Sequence, residues 1–476
     1  MQKPKVTGLV ADLWTHIRIL QLAGHSLLEF NAGGSAAWNY LRTAGTVLHN
    51  FLLIGNYVLL IINCTQQTAD SDEFTGNVAT VLFFSHCVFK LLYCTLRRRK
   101  FYRTLNSWNH TNSHPLFAES SARHHAQATS SMKRLLVIIL TCTLTSVLAW
   151  TTITFFGDSV IHVQDPDDAN LTMTVEVPRL IVRAWYPWDI SNGFMYMLTF
   201  AFQFFWLTCM LVLCNLLDTL FCCWLIYACE QLVHLKEIMK PLMEVSNSMD
   251  SLMPQTSDIF RAASSSSHAA LLSGSTDTLD TNIRGIYNSA SEYSGFRQGG
   301  GALSTVQGSS VGPNGLTKKQ EVLIRSAIKY WVERHKQVVR YVNDIGDTYG
   351  GAILAHMLIS TVELTLLAYL ATTITGFNPR GICIVGYVIY SFGQVFQFCY
   401  YGNHLIEESS SVLEAAYSCR WYDGTDEAKA FVQIICQQCQ KSMTISGAKF
   451  FTVSLDLFAS ILGAVVTYFL LLIQLN

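Results

Sequence analysis

The chain reads as an all-α integral membrane protein of seven transmembrane helices, with its N-terminus in the cytoplasm and its C-terminus outside. Three observations predict this. Of 476 residues, 50% are hydrophobic and only 14% charged, where soluble domains carry about a quarter charged residues, and the mean hydropathy is +0.29. Seven apolar runs of membrane length occur, at 45–65, 76–96, 135–156, 193–224, 350–375, 381–402 and 450–475; about 20 such residues cross a hydrocarbon core about 30 Å thick. The loops between them alternate in charge, and Lys and Arg concentrate on the cytoplasmic side.

The loops set the direction of each span in turn. The first carries Asp70, Asp72 and Glu73 and no basic residue, whereas the second carries Arg97, Arg98, Arg99, Lys100 and Arg103, then Lys133 and Arg134. The third is acidic, with Asp158, Asp165, Asp167, Asp168, Glu176 and Asp189 against Arg179 and Arg183, and the long fourth is again rich in Lys and Arg. Even loops therefore lie inside and odd loops outside. The sequon Asn170-Leu171-Thr172 falls in an outer loop, where N-glycosylation occurs. The first residues lack the basic-then-apolar pattern of a cleaved signal peptide, so targeting falls to the first span. This orientation is the reverse of a G-protein-coupled receptor.

Composition divides the chain further. Residues 1–250 hold the first four spans, the fourth running on through FCCWLIYACEQLVHLKEIMKPLMEV into the cytoplasm. Residues 251–316 are rich in Ser and Gly and read as a flexible loop. Residues 317–402 hold a cytoplasmic helix and the fifth and sixth spans. Residues 403–449 are too polar to span and read as two cytoplasmic helices joined at Trp421-Tyr422-Asp423-Gly424, with Asp-Gly supplying the turn. Residues 450–476 form the last span.

Several side chains are candidates for function. Leu471 and Leu475 are four apart with Gln474 beside them, so all three share a helical face. Such a stripe fits either helix packing with a Gln at the interface or a narrow, partly wetted conduit. Asp456 lies near the inner end of the same span, placed for an ion path or for a bond to a neighbouring helix. Asp218 reads as lying on the cytoplasmic extension of the fourth span, where a charge costs little. The helix around RSAIKYWVERHK sets Lys329, Arg334, Lys336 and Arg340 among Ile328, Trp331, Val332, Val338 and Val339. That pattern suits calmodulin or a membrane surface, or else a helix packed on a cytoplasmic domain. Cys436 and Cys439 form a lone CxxC, weak evidence for metal. No phosphate-binding glycine loop, nucleophile elbow or zincin helix occurs, so no residues support an enzyme. Paired inverted repeats, expected of a secondary transporter, do not occur either.

Specific segments then become recognisable: HPLFAESSARHH, AWTTITFFGDSV, ACEQLVHLKEIMKPLMEVS, RSAIKYWVERHK, LIEESSSVLEAAYSC, and above all the run from WYDGTDEAKAF to TYFLLLIQL. Over nearly its full length, thinning at 251–316 and in the first spans, the chain resembles the insect odorant receptor co-receptor family, of the odorant and gustatory receptor superfamily. The resemblance implies a ligand-gated, non-selective cation channel, as a homotetramer or as a heterotetramer with variable odorant receptor subunits for which it is the obligate co-receptor. An alternative is a ligand-tuned odorant or gustatory receptor channel of the same superfamily. The last helices would line the pore, with the gate at Leu471 and Leu475 and permeation past Gln474 and Asp456. Trp421 and Tyr422 would belong to the subunit anchor, and Ile328, Lys329, Trp331, Arg334 and Lys336 to a calmodulin site. Also implied are Na⁺, K⁺ and Ca²⁺ as permeant ions, lipid contact, and residence in the plasma membrane of olfactory neuron dendrites. Neither a cofactor nor nucleic acid is expected. Where the family pattern leads us to expect Val at the upper constriction, this chain has Leu471.

Overall fold

The computed structural model describes residues 8–24, 36–65, 71–108, 114–156, 160–164, 172–176, 179–190, 193–246, 318–372 and 379–475. The expected flexible loop 251–316 and the sequon Asn170 lie outside them. Eleven helices are described: α1 (Leu9–Asp12), α2 (Trp14–Leu22), α3 (Ala36–Thr65), α4 (Ser71–Leu96), α5 (Arg98–Asn106), α6 (Ala118–Thr154), α7 (Gly193–Ser246), α8 (Lys318–Thr372), α9 (Pro379–Tyr417), α10 (Asp426–Gln438) and α11 (Leu455–Leu475). Two antiparallel ribbons join them: β1 (Val160–Gln164) with β2 (Thr172–Glu176), and β3 (Ser446–Gly447) with β4 (Phe451–Thr452).

Among the described residues, seven helices are long and apolar enough to cross a membrane, one in each of the runs expected from the sequence. In lipid every backbone polar group needs an internal partner, which a continuous helix supplies. The hydroxyls on α6 are absorbed in the same way. Thr143, Thr151 and Thr152 each donate to the carbonyl four residues earlier, at 2.7–2.8 Å.

Several helices are far longer than a bilayer. The 54 residues of α7 and 55 of α8 rise about 80 Å each at 1.5 Å per residue, so the body beyond the bilayer is built from continuations of the spans. This corrects the expectation for 403–449. Its first helix is the unbroken end of α9, and only α10 is a separate helix, entered through a 3₁₀ turn at Trp421–Asp423. Thr425 caps α10, its hydroxyl accepting from the Ala428 amide at 3.3 Å, and Asp426 and Glu427 in the first turn complement the helix dipole. The last helix also starts later than expected, at Leu455, because Phe451 and Thr452 pair with Ser446 and Gly447 instead.

α7 is the axis of the fold. It packs against α6, α9, α8 and α4, and 94% of its most apolar window is buried. Indole and phenol groups from other helices reach its backbone, and its own indole reaches theirs: Tyr349 donates to the Leu217 carbonyl (3.0 Å), Trp331 to Leu235 (2.9 Å), and Trp206 to Leu53 of α3 (2.9 Å). The N-terminal α1 and α2 join the same core, burying Leu9, Val10, Leu13, Ile17 and Leu20. His16 Nε2 donates to the Leu216 carbonyl at 2.8 Å.

Burial lowers the His16 pKa to about 4, the Leu216 bond opposing it only in part. His114, buried at the start of the turn before α6, is lowered to about 4 for the same reason. A histidine that folding keeps neutral carries no penalty above its ordinary value near 6.5. It costs stability as pH falls from there toward the folded value, by at most about 1.4 kcal/mol per pH unit for each group. Thermal unfolding of the protein in nanodiscs should therefore move to lower temperature between pH 7 and pH 5. The double variant His16→Gln/His114→Asn should flatten that dependence; an unaltered slope would assign it to other groups.

Candidate pore helix and the polar core behind it

α11 carries the residues expected at a gate. It packs on α8 and α9 through one side only, with Ile461 and Val465 buried while Val466, Tyr468, Leu470, Leu471 and Ile473 remain exposed. Only 11% of its apolar window is covered. Leu471 is 50% exposed and Gln474 is exposed three residues on, on the same face. Leu475 ends the helix, and its side chain lies outside the described residues. Asp456 is exposed in the first turn, where a carboxylate favours the helix N-terminus. This face of α11 presents Thr467, Tyr468, Leu471 and Gln474 in succession.

The segment feeding α11 is held tightly. Ile445 and Val453 are fully buried, the Val453 amide donates to the Ile445 carbonyl (2.8 Å), and the Met443 amide donates to Ser409 Oγ (2.9 Å). Ala448 and Lys449 turn the β3–β4 hairpin in the left-handed region, at φ 47° and 69°. Glycines of two spans approach this segment. A Cβ on Gly402 of α9 would stand 2.4 Å from the Val453 carbonyl oxygen, and one on Gly350 of α8 would stand 3.2 Å from the Ala448 nitrogen and the Ser446 oxygen. The entry to the last helix is thus clamped between α8 and α9. Nothing in the sequence pattern marked these glycines.

The expected calmodulin helix is part of α8 and is already packed. Trp331 is fully buried, its ring stacked with His335 at 5.2 Å and edge-on to Phe431 of α10 at 5.4 Å. Arg334 is buried too, donating to Gln231 (2.9 Å) with its guanidinium 4.4 Å over the Trp108 ring. Ile328 is half-buried, and Lys329 and Lys336 face solvent. Of the alternatives open from sequence, a helix packed on the rest of its domain describes this state. Trp421 is half-buried and Tyr422 is 59% exposed, and Tyr417 at the end of α9 and Ile434 on α10 are exposed too, at 71% and 62%, so the α9–α10 junction and α10 carry exposed apolar side chains. Cys436 and Cys439 are free thiols, raised in pKa by burial. Cys439 Sγ lies 3.6 Å from His335 Nε2.

One reading needs correction. Asp218 is not on a solvated extension: it is buried, and its Oδ2 accepts from Lys90 Nζ of α4 at 2.8 Å. Lys90, itself buried, was hidden within an apolar run. Beside the pair, Asn215 donates to Thr143 Oγ1 (2.8 Å) and Tyr390 OH (2.6 Å) and accepts from Gln394 (3.0 Å). One polar core so links α4, α6, α7 and α9.

The family described as 7tm odorant receptor matches residues 70–466. The insect olfactory receptor OR5 from Machilis hrabei, solved in complex with eugenol, is similar in structure with a TM-score of 0.67; it is 17% identical and the match covers 98% of this chain and 99% of that one. The chain is therefore a seven-helix, multi-pass membrane protein of the 7tm odorant receptor family. Within that family it is similar over its whole length to proteins named Odorant receptor coreceptor, from Drosophila melanogaster (51% identity, 100% of this chain and 99% of the relative) and Aedes albopictus (52%, 100% of both). Its relatives are receptors, not enzymes.

Two outcomes test this geometry. Lys90→Met should destabilise the protein by about 3–5 kcal/mol, because it strands a buried carboxylate, while Lys90→Met/Asp218→Leu should recover most of the loss; equal losses in both would mean that the pair is not the seat of the effect. Gly402→Ala should lower thermal stability by about 1–3 kcal/mol as Val453 is displaced. Gly386→Ala, on the same helix with open space at its Cβ, should not.

Proposed function

We propose that the chain is a subunit of a ligand-gated, non-selective cation channel that serves as the obligate co-receptor for variable odorant-binding receptor subunits and also assembles with itself. The observation that carries this reading is α11. It has a mean hydropathy of 2.2 over its window with 11% of that window covered, and an exposed stripe of Leu471 and Gln474 that suits neither a core nor a purely lipid-facing surface. Four copies around one axis would bring the stripes together in a closed cyclic assembly. Leucines would then close the conduit by dewetting, and amides without a charge cluster would discriminate weakly among Na⁺, K⁺ and Ca²⁺. Asp456 would sit at the inner mouth and attract cations. The exposed apolar residues around Tyr417, Tyr422 and Ile434 would meet neighbouring subunits, with Trp421 beneath them.

Full-length similarity to coreceptors, at 51–52% identity, favours this reading over a ligand-tuned receptor of the superfamily. In the same reading the N-terminus is cytoplasmic, Asn170 carries an outward glycan, and the protein resides in the plasma membrane of olfactory neuron dendrites. Calmodulin would recognise Ile328, Lys329, Trp331, Arg334 and Lys336 only in a state where α8 has lifted from α7, since Trp331 is otherwise enclosed.

Whole-cell recording from cells expressing the chain alone, with a synthetic co-receptor agonist, tests the channel. The expected current reverses near zero with Na⁺ outside and K⁺ inside, and Gln474→Ala changes relative permeability. Absence of current despite surface expression would sink the homomeric channel. Leu471→Val should raise unitary conductance by relieving the constriction, and an unchanged value would remove Leu471 from the gate.

A further inference from the structure

Where α4 meets α7, three soft donors converge that neither the pore nor the anchor uses. His86 and Cys87 are consecutive on α4 and Cys214 comes from α7. All three are buried, at 1%, 3% and 2% exposure, and one ring nitrogen and the two sulfurs lie within 4.8 Å of one another. Cys87 Sγ stands 3.6 Å from His86 Nε2. Zinc–sulfur and zinc–nitrogen bonds of about 2.3 and 2.0 Å at a tetrahedral angle set these atoms about 3.5 Å apart. The pair is already spaced as one edge of a tetrahedron.

A second observation points to the same ligand. His86 Nδ1, the nitrogen away from Cys87, faces Glu363 Oε2 of α8 at 3.9 Å, and among the described residues neither atom has a hydrogen-bond partner. Glu363 is oriented by its other oxygen, which accepts from Ser391 Oγ at 2.6 Å. A carboxylate behind the far nitrogen of an imidazole is the usual outer support of a metal-bound histidine, fixing Nδ1–H and leaving Nε2 free to ligate.

Charge also balances. Two thiols that ligate a divalent ion release two protons, and the resulting centre is neutral. The ammonium of Lys90, 3.6 Å from Cys214 Sγ, would donate to that thiolate while remaining paired with Asp218. Occupation therefore adds no net charge to the membrane interior, where an unbalanced charge is expensive.

We propose that His86, Cys87 and Cys214 form a binding site for a soft divalent metal ion of the zinc class, with Glu363 as outer partner of His86 and the fourth position open to a small donor. The ion cross-links α4 to α7 one residue from Asn215, the point at which α6 and α9 are also tied in. It thereby stiffens the polar core.

The test uses the full chain, expressed with added zinc, purified in detergent, washed with a weak chelator and analysed for bound metal. In parallel, protein prepared with Co²⁺ is read by thiolate-to-cobalt charge-transfer absorption. We expect one metal per chain and the charge-transfer band, both lost in Cys87→Ser and in Cys214→Ser, both retained in Cys436→Ser. Glu363→Gln should weaken retention against a competing chelator by about 10–100-fold. Wild-type protein with neither stoichiometric zinc nor the cobalt band overturns the site whatever the variants do. So does metal that survives Cys214→Ser but is lost in Cys436→Ser, which would move it to the cytoplasmic CxxC. Neither readout depends on channel current, so the site stands or falls separately from the proposed function.

Discussion

The enclosure of α7 is the constraint from which most of the structure follows. Along its most apolar stretch, 94% of which is buried, no water or headgroup reaches the polar side chains of α7, so most of them find a partner inside the protein. Over five consecutive residues α7 carries Cys214, Asn215, Leu216, Leu217 and Asp218, and each is tied to another element: Cys214 and Asp218 to Lys90, Asn215 to Thr143 and Tyr390, the Leu216 carbonyl to His16 and the Leu217 carbonyl to Tyr349. The helices around α7 are consequently fixed in register as well as in contact. A slide of one turn along any of them would break a buried polar bond, where apolar packing alone would tolerate it.

The helical body beyond the bilayer inherits that register because it is made of the same helices. α7, α8 and α9 run from the membrane into the platform without a break, and Trp331 repeats there the device used by Tyr349 deeper in, donating to an α7 carbonyl. The platform reaches α11 through the β3–β4 hairpin, whose left-handed Ala448 and Lys449 and glycine-lined seat between α8 and α9 leave little slack. This short, buried segment mechanically connects the helical body to the last helix.

The spans were legible in the sequence because their signal is collective: about twenty apolar positions outvote any one exception. The same averaging concealed Lys90 and Glu363, each a lone charge in an apolar window, and their partners lie 128 and 28 residues away in the chain. Asp218 was visible but misplaced, since hydropathy locates a residue along a helix without saying what faces it. Trp331 was visible in the sequence as the aromatic residue of a basic amphipathic helix. Which surface it anchors to depends on the α7 and α10 faces that meet it, and those belong to the tertiary structure. The hairpin before α11 was read as helix because Phe450, Phe451 and Val453 continue the apolar run, and nothing local announces that Gly350 and Gly402 make room for a turn there.

Hydropathy likewise does not separate α7 from α11: their windows average 2.1 and 2.2, yet 94% of one and 11% of the other are buried. What separates them is how their polar groups are resolved. On α11, Ser460 and Thr467 return their hydroxyls to carbonyls of the helix itself, at Asp456 and Gly463, which makes those positions compatible with lipid. A glutamine side chain carries two donors and an acceptor with two lone pairs, more than a helix backbone absorbs. An exposed Gln474 therefore calls for water or another protein chain on its face, and the leucine one turn before it for something apolar. Copies of the same helix around a narrow water column meet both demands at once, and a lipid-facing surface meets only the second.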